Sequence, residues 1–239
     1  MTEPTPGVKM ITPIQRLAGT SRDELIAHWF ANHMPDVIRR NREAGDKGAW
    51  RYVATLYRQE TDARMAWDGY ASLWYDAAPD RPTVGFNNVP PKDTFQEMVE
   101  PYRSYATREY VFVDGELPLA PPTLNPPFPC TRSGFLKQIS VVIPKPDVDP
   151  QALADHWLKV HAPNVVATLK KVGGFRYVVN LAADPANTPF AGVPELYFPD
   201  RATQDAFWTE IKQDGFHDFV DYDGATVRYR ADTEMVGIA

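Results

Sequence analysis

The stretch His28-Trp29-Phe30-Ala31-Asn32-His33-Met34-Pro35-Asp36-Val37 recurs 128 residues later as His156-Trp157-Leu158-Lys159-Val160-His161-Ala162-Pro163-Asn164-Val165. Both copies follow the pattern H-W-x-x-x-H-x-P-x-V. The match runs backwards without a gap to Lys9 and Lys137. Further along, Trp50-Arg51-Tyr52-Val53 corresponds to Phe175-Arg176-Tyr177-Val178 at an offset of 125, because the first copy has three extra residues in between. These matches predict two tandem homologous halves.

A proline-rich segment separates the two copies. Prolines occupy positions 118, 121, 122, 126, 127 and 129, and their missing amide donors favour an extended, semi-rigid connector. We therefore predict a first unit at 8–117, a connector at 118–134 and a second unit at 135–238.

Each half is predicted to contain four strands and two helices in the order β-α-β-β-α-β. Apolar runs rich in β-branched residues indicate the strands. The first helix begins at a capping box of Ser21 and Glu24 in one half, and at Asp149 followed by Pro150 in the other. The predicted strands are 8–17, 50–56, 70–75, 109–113, 135–143, 175–180, 195–198 and 225–230, and the second helices are 93–102 and 202–214.

This order is the ferredoxin-like arrangement of an α+β protein. A single four-stranded sheet of this kind carries helices on one face and leaves its other face uncovered. Two copies in one chain can pack sheet against sheet and close into a barrel, which also hides their edge strands. We therefore expect two tandem ferredoxin-like repeats that form one barrel within the chain.

Composition and charge exclude several classes of function. The chain has 239 residues and a formal net charge of −6, so it lacks the basic surface that nucleic acids require. Its single cysteine, Cys130, excludes an internal disulfide and a cysteine-built zinc site. No apolar run reaches the ~18 residues of a membrane span. We predict a cytoplasmic protein without nucleic-acid or membrane partners.

The repeated residues resemble the EthD family of the dimeric α+β barrel superfamily, whose motif is an aromatic residue followed by x-x-x-H-x-P and then a strand with R-Y-V. The matching positions are Trp29, His33, Pro35 and Arg51-Tyr52-Val53, then Trp157, His161, Pro163 and Arg176-Tyr177-Val178. The resemblance covers roughly 8–114 and 135–238 and implies an intramolecular dimeric α+β barrel. The superfamily includes cofactor-free isomerases, dehydratases and monooxygenases as well as haem enzymes, so the resemblance implies a fold more than a reaction.

Two histidines are the best candidates for catalysis. His33 and His161 end an apolar helical stripe and precede x-Pro, which predicts that each points inward. Imidazole has a pKa near ~6.5 and can carry a proton at neutral pH. The alternative is a buried histidine that bonds a carbonyl left unpaired beside the proline. His28 and His156 lie five residues earlier, about 140° around the helix, so they cannot share a metal ligand set and are predicted at the helix surface or an interface.

Aromatic residues and arginines complete the predicted site. Six tryptophans, 11 tyrosines and 12 phenylalanines favour an aromatic-walled cavity for a flat apolar ligand. We predict substrate contacts from Trp29, Trp157, Tyr52 and Tyr177, although core packing is the more ordinary explanation for the tyrosines. Arg51 and Arg176 alternate with these tyrosines along a strand, and either bind an anionic substrate group or form a salt bridge between the sheets.

The leading hypothesis is a cofactor-independent enzyme that acts by lyase, dehydratase or isomerase chemistry on a small hydrophobic, aromatic or polyketide-like molecule. No metal and no cofactor are expected. The alternatives are a ligand-binding accessory protein and, less favoured, a haem-dependent or cofactor-free oxidoreductase. The sequence leaves open whether the chain forms a homo-oligomer.

Overall fold

Eight antiparallel strands close into a barrel in the computed structural model, which describes residues 2–58, 66–79, 94–117 and 132–238. The strands are β1 (Val8–Ile14), β2 (Arg51–Tyr57), β3 (Gly69–Tyr75), β4 (Tyr105–Asp114), β5 (Arg132–Val141), β6 (Arg176–Ala182), β7 (Gly192–Phe198) and β8 (Val227–Ile238). Their order around the barrel is β1-β3-β2-β8-β5-β7-β6-β4.

The barrel contains the same run of four strands twice. The first half supplies β4-β1-β3-β2 and the second supplies β8-β5-β7-β6. Pairing of β2 with β8 and of β4 with β6 joins the halves and leaves no free edge. The predicted α+β class and the closed barrel are therefore confirmed.

Helices cover the outside of each half. They are α1 (Arg22–His28), α2 (Met34–Glu43), α3 (Pro150–His156), α4 (Ala162–Val172) and α5 (Arg201–Glu210). The predicted capping box is present at α1, where the Glu24 amide donates to Ser21 Oγ at 3.2 Å and the Ser21 amide donates to Glu24 Oε2 at 2.9 Å. At α3, Asp149 accepts bonds from the amides of Gln151 and Ala152. Two unrelated capping sequences thus begin equivalent helices.

Apolar side chains form two helix–sheet cores and a third core inside the barrel. In the first half, Trp29, Met34, Tyr52 and Phe95 pack between the helices and the sheet. The second half packs an equivalent set around Trp157 and Tyr177. Because side chains alternate along a strand, the neighbouring positions Val53, Thr55 and Tyr57 face the barrel interior.

The predicted second helix of the first half is wrong over its described residues. Residues 94–97 form a 3₁₀ turn instead, and Val99 makes a β-bridge to Arg16. The Leu17 amide donates to the Met98 carbonyl and the Glu100 amide donates to the Gln15 carbonyl. Bonds to the end of β1 therefore take the backbone groups that a longer helix needs, and Pro101 follows directly. The second half has an equivalent arrangement, with a 3₁₀ turn at Phe216–Asp218 and a β-bridge from Val220 to Pro144.

The predicted connector at 118–134 falls largely outside the described residues. Its last three residues belong to β5, which begins at Arg132. The proposed unit boundaries stay a prediction. Within the described ranges, no helix is both long enough and apolar enough to cross a membrane.

Candidate functional site

A π-helical turn interrupts the first helix of each half directly before the motif proline. The turns span Trp29–His33 and Trp157–His161. Pro35 lacks an amide hydrogen, and its ring would collide with the carbonyl four residues earlier in a regular α-helix. The wider turn, closed by a bond from the Met34 amide to the Trp29 carbonyl, accommodates the proline. The π-turn therefore carries both the motif tryptophan and the motif histidine of its half.

Four rings meet beneath the first turn. Trp29 Nε1 donates to the Tyr52 hydroxyl at 2.9 Å, and each of these side chains is only 1% exposed. The His33 ring lies parallel to the Phe95 ring with 4.1 Å between their centroids. The site therefore joins the π-turn, β2 and the 3₁₀ turn that precedes β4.

A cavity of about 330 Å³ lies between α2 and the sheet of the first half. This volume is within the range of about 300–1,000 Å³ for small-molecule pockets. Three of the residues singled out in the sequence, His33, Trp29 and Tyr52, line the cavity. Its apolar lining is Ile14, Val37, Ala71, Leu73 and Phe95, and its polar lining is Thr12, Arg40, Asn41, Tyr75, Tyr102 and Ser104.

The Tyr52 hydroxyl has a hydrogen to offer a ligand. Its oxygen accepts the bond from Trp29, and no acceptor for its own hydrogen is found among the residues that the structure describes. Burial raises the pKa of Tyr52, with the bond from Trp29 opposing this shift. The phenol is therefore neutral and oriented, so it can donate to an oxygen placed in the cavity.

The second half builds the same rings around His161. Trp157 Nε1 donates to the Tyr177 hydroxyl at 3.4 Å, and the His161 ring stacks on Phe216 at 4.0 Å. His161 Nδ1 lies 2.8 Å from Asp214 Oδ2, and Asn164 Nδ2 donates to the same oxygen at 2.7 Å. Burial lowers the pKa of His161, while Asp214 opposes the shift. Neutral imidazole is therefore the favoured form in the folded chain.

The walls of the equivalent space in the second half are bulkier and more apolar. At the offsets set by the repeat, Leu169 replaces Asn41 and Phe198 replaces Tyr75, and both replacements are 0% exposed. A bulge of β4 also places Phe112 in a stack on Tyr177 at 5.6 Å, whereas the corresponding bulge of β8 carries Gly237 beside Tyr52. Larger apolar side chains therefore pack beside the rings of the second half, at positions that border the cavity in the first half.

The barrel interior holds a buried network of charged side chains. Lys9 Nζ lies 3.2 Å from Glu109 and 2.6 Å from Glu195, and Lys137 Nζ lies 3.2 Å from Glu195 and 2.9 Å from Glu234. Burial alone would lower the pKa of Lys137, but the two carboxylates outweigh it and raise that pKa. Burial opposes ionisation of Glu195, yet Lys137 and Lys9 hold its pKa well below the usual range. The barrel interior therefore contains an ion-pair core beside its apolar core.

Arg51 and Arg176 face this interior and not the cavity. Arg51 lies over the Trp74 ring at 5.1 Å, and Arg176 pairs with Asp114 of the neighbouring strand β4. Both line a space of only about 20 Å³, which suits a single water molecule. Residues 51 and 52 point to opposite faces of the strand, so the arginines lie apart from the cavity that Tyr52 lines, and their predicted contact with substrate stays a prediction. For Arg176, the structure has the salt bridge that was the alternative.

The outer histidines, predicted at the helix surface or an interface, are half-buried between the first helix and the 3₁₀ turn of each half. His28 bonds the Thr94 hydroxyl, and His156 packs against Phe219 with 4.9 Å between ring centroids. Each is only partly exposed and supports the 3₁₀ turn of its half. No cluster of three or more His, Cys, Asp or Glu side chains suited to a metal ion occurs in the described part of the chain.

Comparison with known proteins supports the resemblance given by the motif. Residues 145–227 match the family model of the EthD domain. The match extends from the residues after β5, through the motif helices and β6, to the start of β8. The resemblance to the EthD family is thus confirmed in the second half of the chain. No curated protein matches the sequence.

Solved structures with a similar fold differ widely in sequence. A candidate chlorite dismutase shares 9% identity, aligns over 95% of this chain and 95% of its own, and gives a TM-score of 0.51. A candidate monooxygenase from Lactobacillus acidophilus gives 8% identity, 98% and 97% coverage and a TM-score of 0.49. A heme-binding protein from Thermus thermophilus gives 13% identity, 98% and 93% coverage and a TM-score of 0.44. At such identities the likeness concerns the fold alone.

Several site residues were missed by the sequence analysis. Phe95 and Phe216 are separated by 121 residues, as are Val99 and Val220, so the repeat itself contained the signal for the stacked phenylalanines. At the same offset Asp214 corresponds to Asp93, which lies outside the described residues. Nothing in the pattern distinguished Arg40 from the other charged residues of α2.

Proposed function

We propose that the chain is an acid–base enzyme that needs no cofactor and acts on a small hydrophobic molecule with an aromatic body in the cavity of the first half. One observation carries this proposal. The motif histidine His33 lines a cavity of about 330 Å³ whose wall also presents the oriented hydroxyl of Tyr52. A proton carrier and a hydrogen-bond donor thus share one cavity, as proton transfer beside a carbonyl group requires.

The residues have separate roles in this proposal. His33 removes a proton from a carbon next to the substrate carbonyl, and the negative charge that develops on the oxygen is stabilised by the Tyr52 hydroxyl. Return of the proton at another carbon completes an isomerisation, and loss of a β-hydroxyl as water completes a dehydration. Trp29 orients Tyr52 through its indole N–H, and the apolar side chains of the lining contact the hydrophobic part of the substrate.

We assign the corresponding residues of the second half a structural role. His161, Trp157 and Tyr177 hold the same ring arrangement, but Leu169, Phe198 and Phe112 occupy the space beside it. We also propose that the halves are diverged ferredoxin-like repeats of an intramolecular dimeric α+β barrel, since strand order, π-turns and 3₁₀ bridges recur at the offsets of the sequence repeat.

Hydrogen–deuterium exchange tests the proposed proton transfer without knowledge of the natural substrate. 2-Tetralone, an aromatic ketone with acidic α-protons, is incubated with the protein in D₂O, and loss of the α-proton signal is followed by NMR. Wild-type protein is expected to accelerate exchange, and His33→Gln is expected to lose about 100-fold or more of that acceleration. Equal acceleration by the variant would contradict the role of His33. If wild-type protein does not accelerate the exchange, the proposed enzymatic activity is contradicted.

A non-catalytic ligand-binding protein is the second candidate, because the same cavity serves it equally. It predicts that 2-tetralone binds without accelerated exchange. A haem-dependent oxidoreductase predicts a Soret absorption band in the purified protein. We favour the cofactor-free enzyme over the haem protein because both motif histidines lie face to face against a phenylalanine ring at about 4 Å.

A further inference from the structure

The cavity wall includes an arginine whose guanidinium group is held by one ion pair and has hydrogen-bond donors left for a ligand. Arg40 lines the cavity from α2, and its Nε lies 2.8 Å from Asp36 Oδ2. The side chain is 37% exposed. Within the described residues, no partner is found for its two terminal nitrogens. These nitrogens form the end of the guanidinium that binds a carboxylate through two parallel bonds.

The neighbouring arginine shows that this arrangement is specific to Arg40. Arg39 also bonds Asp36, but it donates twice more to Glu43 at 2.8 and 2.9 Å and is 57% exposed. Arg39 does not line the cavity. Asp36 thus contacts two arginines. Arg39 has further hydrogen bonds to Glu43 at the surface, whereas Arg40 lines the cavity.

The distance between Arg40 and His33 matches a small aromatic ligand. The residues are seven positions apart on nearly the same face, so their backbone positions differ by about 10 Å along the helix. Val37 lies between them and also lines the cavity. A flat ring that contacts Val37 can therefore place one substituent at Arg40 and another beside His33.

The second half lacks this feature. Thr168 stands at the position that corresponds to Arg40, and its hydroxyl donates to the Asn164 carbonyl of its own helix at 3.0 Å. A cation is therefore present where the cavity is, and absent at the equivalent described position where side chains close the space.

We propose that the ligand of the first-half cavity is a small aromatic carboxylate, whose carboxylate group is bound by Arg40. The inference rests on the proposed function for the location of the site, because both place the ligand in the same cavity. It adds the charge of the ligand and the residue that selects it. Arg40 holds the acidic end, and the opposite end of the ring is presented to His33 and Tyr52.

A pair of probes that differ only in charge tests the proposal. Binding of 2-naphthoate and of its neutral amide, 2-naphthamide, is measured by calorimetry for wild-type protein and for Arg40→Gln, Arg40→Lys and Arg39→Gln. Wild type is expected to prefer the carboxylate by about ten- to a hundred-fold. R40Q is expected to bind both probes within about threefold of each other, R40K to retain part of the preference, and R39Q to behave as wild type.

Three results would overturn the proposal: equal binding of the two probes by wild type, an unchanged preference in R40Q, or no binding of either probe at millimolar concentration. Circular dichroism of each variant shows whether it is folded, and R40K supplies a charge-retaining form should R40Q be unstable. Failure here is separable from failure of the proposed function, because probe selectivity is read from binding while the role of His33 is read from proton exchange.

Discussion

The two halves of the barrel share the same frame of four rings and differ in the side chains around that frame. Each half places a tryptophan, a tyrosine, a histidine and a phenylalanine in the same mutual contacts. In the first half these rings border a cavity of about 330 Å³, whereas in the second half Leu169 and Phe198 are fully buried beside them. The frame is therefore compatible with both an open and a closed interior.

This difference separates residues that form the fold from residues that form a site. The buried rings and the π-turn occur in both halves, so their recurrence by itself indicates structure. Arg40, Asn41 and Tyr75 are matched by Thr168, Leu169 and Phe198, so the change falls on the lining. Recurrence of a motif histidine is thus weak evidence for catalysis. The residues that border the histidine are stronger evidence.

Both halves contribute buried side chains to the ion-pair core. Disrupting this core is expected to have the largest effect on the free energy of unfolding. Lys137→Met removes the cation that faces Glu195 and Glu234, and each of these carboxylates is nearly inaccessible. An uncompensated buried charge costs about 3–5 kcal/mol. Denaturant unfolding at pH 7 measures the loss.

The matched control lies on the surface of the same half. Lys170→Met replaces an exposed lysine of α4 and is expected to change the unfolding free energy by less than about 0.5 kcal/mol. Lys9→Met, the counterpart in the first half, is expected to cost about as much as K137M, since Lys9 also bridges two buried carboxylates. A small effect of both core variants would mean that the interior admits water freely.

The motif histidines provide the sharpest test of the comparison, because the expected effects are opposite. His161→Gln is expected to lower the unfolding free energy by about 1–2 kcal/mol, since it removes one of the hydrogen-bond partners of Asp214, and to leave proton exchange of 2-tetralone intact. His33→Gln is expected to remove exchange by about 100-fold. The two variants are compared under the same buffer in both assays. Loss of exchange in H161Q with retention in H33Q would assign the activity to the second half.

The sequence was sufficient for the barrel because the fold depends on patterns that are local and repeated. Capping at Ser21 and Asp149 and the alternation of side chains along the strands depend on neighbouring residues. The offset between the halves then predicted that two sheets share one chain. Closure of the barrel followed from the need to cover the second face of each sheet.

The site was only partly predictable, because its features arise from residues far apart in the chain. Lys9 and Lys137 were matched in the repeat, yet their carboxylate partners lie on β4, β7 and β8, and a single sequence gives no register between distant strands. The 3₁₀ turn at residues 94–97 replaces a helix through bonds to the end of β1, which a local pattern cannot show. The volume of a cavity depends on all its lining side chains together. The sequence alone therefore could not show which half contains a cavity.

The pH dependence of stability provides a smaller effect that is specific to the second half. Burial lowers the pKa of His161 below its ordinary value, so the unfolded chain binds a proton more readily than the folded chain. Stability is therefore expected to fall as the pH drops below about 6.5. Calorimetric unfolding of wild type and H161Q between pH 8 and pH 5 measures this. The wild type is expected to lose more stability than H161Q over this range, and parallel curves would contradict the assignment.

The smallest expected difference concerns the indole–phenol bonds. The bond from Trp29 to Tyr52 is 2.9 Å long, whereas the bond from Trp157 to Tyr177 is 3.4 Å long and correspondingly weak. Tyr52→Phe leaves a buried indole N–H without its acceptor and is expected to cost about 1–2 kcal/mol, while Tyr177→Phe is expected to cost less than about 1 kcal/mol. Denaturant unfolding of both variants gives these costs.

A double-mutant cycle with Trp29→Phe isolates the bond itself, since it subtracts the packing that both single substitutions disturb. A coupling energy near zero would show that the Trp29–Tyr52 bond contributes nothing to orienting the phenol. Equal costs for Y52F and Y177F would show that the two frames are energetically alike. The halves would then differ only in the side chains that fill the space beside His161 and leave it open beside His33.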